Sequence, residues 1–143
     1  MTFFVPGIPV AKGSARAFFR KGMAHPVVVQ DNSERQKPWA SLISLLAQQA
    51  GLSPVENGCA LQLCFNMPRP KSHLRKGGDV KPAWFDKPHT SKPDLDKLIR
   101  CVLDALTGIA YLDDSQVVSV DAKKDYVHPA MAGCSIGVEY KAV

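Results

Sequence analysis

The stretch KPDLDKLIRCVLDALTGIAYLDDSQVV, Lys92 to Val118, holds an amphipathic helix with two carboxylates ahead of it and two behind. Leu95, Leu98, Ile99, Val102, Leu103 and Leu106 recur at helical spacing and form one apolar stripe. Pro93 opens the helix and Gly108 closes it, the asymmetry that helix ends favour. Beyond the Asp-Asp-Ser turn, Val117, Val118 and Val120 begin a β-rich tail that runs through Val127. A buried helix followed directly by a strand predicts a sheet with helices packed on it.

Upstream, CALQLCFNM alternates, with Cys59, Leu61, Leu63 and Phe65 on one face, as in a strand with one buried side. From Asn32 or Ser33 a first helix is expected, with Ser33 able to cap it, in which Trp39, Leu42, Ile43, Leu46 and Ala47 keep helical spacing until Gly51. The opening FFVPGIPV predicts an edge strand broken by Pro6 and Pro9. A second strand is expected through Ala17 to Arg20 or through Pro26 to Gln30, turned at Lys21 and Gly22, and a last one from Cys134 to Val143. The expected fold is α/β (mixed α+β), a single small domain over residues 1–143, its mixed sheet packed by two main helices. Residues 68–92 lack any period and form a long basic loop, a feature uncommon in a compact domain unless it binds something. Trp84 and Phe85 inside it either stack on unpaired bases or pack back on the domain.

At 143 residues, with 45% apolar and 22% charged residues, the chain is of ordinary globular composition for one domain. No stretch approaches the roughly 20 apolar residues of a membrane span, and the prolines near the N-terminus break any export signal, so a soluble intracellular protein is expected. Cys59, Cys64, Cys101 and Cys134 are scattered and read as reduced thiols, and the four histidines are isolated from one another.

Charge is unevenly laid out. Residues 93–121 hold six acidic and two basic side chains, within a chain of net charge +5. Residues 1–30 contribute +4 and residues 69–92 contribute +5. A compact acidic centre between two basic arms is what a nuclease needs: the arms attract phosphate and the acids hold a cation. Clustered carboxylates repel one another unless water or a divalent ion offsets them.

Asp94 and Asp96 lie about 200° apart on an ideal helix and cannot share an ion if both are helical. Pro93 biases its predecessor toward extended backbone, which puts Asp94 at the junction, where the two carboxylates can turn toward one point. Arg100 follows Asp96 by one turn, either as a surface ion pair typically worth under about 1 kcal/mol or as a fixed cation beside a phosphate. Of Asp113 and Asp114, adjacent in extended backbone, one enters a shared site and the other caps the turn.

With the flanking PRPKSH and HTSKPDLD, this stretch closely resembles the core signature of the RusA family of endodeoxyribonucleases, Holliday junction resolvases of phage and prophage type. The resemblance implies a small α/β homodimer that binds four-way junction DNA and cuts symmetrically related strands with Mg²⁺ or Mn²⁺. It places the family's catalytic, metal-holding aspartates on Asp94, Asp96 and Asp114, and its functional lysine on Arg100. Lys97 stands where the family's asparagine is usual. Arginine keeps its charge at any relevant pH, so Arg100 suits phosphate stabilisation and not proton donation. Lys71, Arg75 and Lys76, with Arg16, Arg20 and Lys21, are then the DNA-backbone contacts, and the expected setting is the cytoplasm of a bacterial host cell, at nucleoid-associated DNA. The competing expectations are a less selective structure-dependent nuclease, a DNA-binding module that has lost catalysis, and a metal-stabilised structural protein.

Overall fold

The computed structural model describes residues 1–13, 15–18, 21–22, 24–25, 27–30 and 33–142. The expected positions Arg20, Pro26 and Val143 lie outside them. Among the described residues six strands and two α-helices follow in order: β1 (Thr2–Pro6), β2 (Ala15–Phe18), β3 (Val27–Gln30), α1 (Ser33–Gln49), β4 (Cys59–Pro68), α2 (Leu95–Leu106), β5 (Val117–Val127) and β6 (Gly133–Tyr140). Both alternative second strands exist, paired with each other as a separate antiparallel hairpin.

The main sheet has the order β1-β6-β4-β5. β5 runs parallel to β4, β6 antiparallel to β4 and β1 antiparallel to β6, so the sheet is mixed, as expected. Parallel strands need a crossover, and the chain from Pro68 to Val117 supplies it, with α2 as its helix. Alternation along β4 sends Cys59, Leu61, Leu63, Phe65 and Met67 to the helix side, where Cys134, Ile136 and Val138 of β6 join them. Ile43 and Ala47 of α1 and Leu98, Cys101, Val102 and Leu106 of α2 complete the core. Burial pushes the Cys101 thiol up to about 11 and the Cys134 thiol up to about 12, which leaves both inert at neutral pH.

The turn after α2 is tied down by polar contacts inside this core. Gly108 takes a positive φ of 79°, and its amide donates to the Tyr111 carbonyl. The buried Tyr111 hydroxyl donates back to the Leu103 carbonyl at 2.8 Å, and Tyr140 donates to the Ala110 carbonyl at 2.7 Å. Ser44 of α1 donates to the Ala105 carbonyl at 2.8 Å, linking the two helices. Among the described residues no helix is long and apolar enough to cross a membrane.

Candidate active site

Asp94 is the N-cap residue of α2, with extended backbone angles of −69° and 140°. Its carbonyl accepts the first helical bond, from the Leu98 amide at 3.1 Å. Its carboxylate makes no capping bond. The ammonium of Lys97 stands 3.9 Å away. Asp96 is in the first turn and exposed. The switch from extended to helical backbone thus falls between the two carboxylates, at a helix end whose dipole favours negative charge.

The approach to this junction is held from below. Lys124 of β5 donates to the carbonyls of Ser91 and Pro93, both at 2.8 Å, so the sheet itself positions the residue before Asp94. On the other side, Ile8–Gly13 runs along α2, where the Lys12 amide donates to the Lys97 carbonyl and the Lys12 ammonium pairs with Asp104 at 2.5 Å. The cleft between them, about 510 Å³, is lined by Lys12, Arg35, Met67, Lys92, Asp94 and Lys97 among others. Sequence reading does not find this cationic lining as a group. The Asp94 to Lys97 spacing signals one member, but only the tertiary path of residues 8–13 brings Lys12 and Arg35 to it.

The Asp-Asp pair sits at the other end of the helix. Asp113 accepts from the Ser115 amide at 2.8 Å, and Gln116 accepts from the Asp113 amide at 2.9 Å, a reciprocal cap on the short turn Asp114–Gln116. The Ser115 hydrogen bonds hold the Asp113 carboxyl below the usual carboxylate range. Gln116 also donates to the carbonyls of Val55 and Asn57, fixing the turn to the loop that leads into β4. Asp113 is the capping member of the pair, and the carboxylate of Asp114 is exposed.

One chain therefore carries the three aspartates in two places. α2, 12 residues long, separates them by about 18 Å along its axis. β5 starts just after Asp114 and reaches the level of Pro93 only at Lys124. Among the described residues no three Asp, Glu, His or Cys side chains come together to hold a metal ion. Arg100 is exposed on α2, with no ion pair to Asp96 within 4 Å among the described residues.

The basic loop has a frame of its own. His73 stacks on Trp84 with ring centroids 3.8 Å apart, and Tyr126 of β5 meets both His73 and His89. Arg69 lies over the Tyr126 ring and donates to the Trp84 carbonyl at 3.0 Å. Trp84 thus packs back on the domain, whereas Phe85 stays 59% exposed. Burial lowers the pKa of both histidines, helped by Arg69 and Lys81 at His73 and by Lys124 at His89. Lys71, Arg75 and Lys76 are exposed on this frame, at the Asp94 end of the sheet. Lys21 is exposed in the turn between β2 and β3, Arg16 belongs to β2, and Arg20 lies outside the described residues.

Residues 6–136 match the family model of endodeoxyribonuclease RusA. The chain is also 31% identical over 127 residues to "Uncharacterized protein YqaN" of Bacillus subtilis (strain 168), a match covering 87% of this chain and 86% of that protein. The chain belongs to the RusA family, a family of endodeoxyribonucleases that act on junction DNA.

Proposed function

We propose that this RusA family member hydrolyses phosphodiester bonds of four-way DNA junctions as a homodimer, in recombination and repair on bacterial nucleoid DNA. Each metal site would be built from Asp94 and Asp96 of one subunit and Asp114 of the other. The observation that carries this reading is the division of the carboxylates between the two ends of α2. A junction offers two symmetry-related cuts, and a two-fold pair of subunits has two such sites.

The donor set suits Mg²⁺ or Mn²⁺: three carboxylates supply hard oxygen ligands, and the cysteine thiols of Cys59, Cys101 and Cys134 are buried elsewhere in the core. Bound there, the ion would supply Lewis acidity at the scissile phosphate and a nucleophilic water at neutral pH. The chain's own residues do the rest. Asp94, free of capping duty, and Asp96 hold the ligand position at the helix end. Lys97 and Lys92 border the same cleft and attract the phosphate. Arg100 offers a permanent positive charge on the exposed side of α2 that balances charge developing in the transition state. Lys71, Arg75 and Lys76, with Arg16, Arg20 and Lys21, carry the flanking duplex arms.

The test is cleavage of a labelled four-way junction, a linear duplex and a single strand, each with and without Mg²⁺ or Mn²⁺. The expected result is metal-dependent cutting of the junction first, abolished by Asp96→Asn while junction binding survives. Equal cutting of all three substrates would make the protein a less selective nuclease. Junction binding without cleavage in either metal would make it a binding module.

A further inference from the structure

The cleft beside Asp94, about 510 Å³, has a lining of two kinds among the described residues. Its buried members are apolar: Pro9, Ala11 and Met67, with Val10 and Pro93 half-buried beside them. Its cations are more open to solvent, Arg35 and Lys92 exposed and Lys12 and Lys97 half-buried. The cleft thus has an apolar floor and a cationic rim. Backbone hydrogen bonds hold both walls in place. The Lys12 amide donates to the Lys97 carbonyl at 3.1 Å and the Gly7 amide to the Ala132 carbonyl at 3.2 Å, while Lys124 holds the Ser91 and Pro93 carbonyls.

A duplex backbone is bound by cations on an open surface and has no use for an apolar recess. A preformed cavity of roughly 300–1,000 Å³ with apolar walls and a few charged groups suits an organic ring. A nucleotide combines the two, a flat ring and a phosphate. We propose that the cleft takes one unstacked nucleobase of the bound DNA on its apolar floor, with the phosphate of that nucleotide on the rim between Lys92 and Lys97. Asp94 lines the same cleft, so the nucleotide adjoins the scissile phosphate, a placement that rests on the nuclease reading above.

None of Pro9, Val10, Ala11, Met67 and Pro93 carries an N–H or O–H on its side chain, so the floor selects a base that has left the stack and not one base over another. Extruding a base costs least where stacking is already interrupted, as at a branch point. The cleft thereby favours a junction over a linear duplex, which the carboxylates and the surface cations alone do not.

Abasic junctions test this. Binding of the wild-type protein, with metal omitted, is measured on four-way junctions that carry a single abasic sugar, its phosphate retained, at each position near the branch point in turn. Affinity is expected to fall about tenfold at one position, the scale of one lost base contact, and to stay unchanged at the others. Val10→Trp fills the recess: it is expected to bind the intact junction as weakly as the wild type binds the abasic one, with no further loss on the abasic substrate. Ile8→Trp, at a lining position 64% exposed and so without cost to the fold, gives the same reading if Val10→Trp does not fold. No abasic penalty at any position overturns the proposal, as does a penalty equally large in the wild type and the filled variant. Cleavage is read separately. A position-specific penalty in a protein that cuts nothing in Mg²⁺ or Mn²⁺ keeps the base site and removes the nuclease reading, and metal-dependent cutting with no penalty does the reverse.

Discussion

The ammonium of Lys124 donates to the carbonyl of Pro93 at 2.8 Å, tying β5 to the residue that immediately precedes Asp94. A charged side chain is thereby spent on positioning backbone beside a carboxylate. Removing it frees the loop on which Asp94 depends, and misplacement by about 1 Å can cost roughly 100-fold in rate. Lys124→Met is expected to lower cleavage by at least about tenfold while junction affinity changes no more than in Lys123→Met, measured by single-turnover cleavage and gel shift. Equal effects of the two variants would show that Lys124 acts only as charge.

Asp113 and Asp114 are adjacent yet differently employed. Asp113 caps the turn, so Asp113→Ala is expected to cost about 1 kcal/mol in denaturant unfolding, with cleavage falling little at temperatures where the protein stays folded. Asp114→Asn is expected to leave stability within about 0.5 kcal/mol and to abolish cleavage. Full activity in Asp114→Asn would remove it from the site.

His73 and His89 are buried against Trp84 and Tyr126 with cations nearby, and both pKa values are lowered. A base whose folded pKa is lowered binds more protons unfolded, so stability rises with pH through this range. The contribution is complete above the ordinary histidine value of about 6.5 and is lost as pH falls below it toward the folded values. Thermal midpoints from pH 8 to pH 5 are expected to fall, and the fall to shrink in His73→Phe, which keeps the stack on Trp84. An unchanged slope in that variant would place the pH dependence elsewhere.

Lys71, Arg75 and Lys76 stand exposed on the loop that these rings organise. If they contact phosphates, each Ala substitution is expected to weaken junction binding across sequences and to reduce the salt slope of log affinity by about one. A slope that stays at the wild-type value would take that residue off the DNA path.

The sequence displayed most of this fold because its strongest signals are local. The leucine stripe between Pro93 and Gly108, the alternation from Cys59 to Phe65 and the valines after Ser115 each report on neighbours within a few residues, and all three elements form as read. The order of the basic loop was hidden because it comes from His73, Trp84 and Tyr126, with Tyr126 over 40 positions beyond Trp84. The cationic cleft was hidden for the same reason, since Ile8–Gly13 reaches α2 only through the tertiary fold. The two aspartate groups are plain in the sequence, but their separation is not. It follows from β5 running parallel to β4, which returns the chain from the Asp114 end of α2 to the Asp94 end only along the length of the strand.

The central claim is that each site takes Asp94 and Asp96 from one chain and Asp114 from the other, and subunit complementation tests it most directly. Asp96→Asn and Asp114→Asn chains, each inactive alone, are unfolded together, refolded as a mixture and assayed on a labelled junction with Mg²⁺. Sites shared between chains leave one intact site in every mixed dimer, so single-strand nicking is expected to return, at about half the mixed population under random pairing. Sites contained within one chain leave every site broken, and a refolded mixture that binds junctions but stays as inactive as its parents would contradict the account.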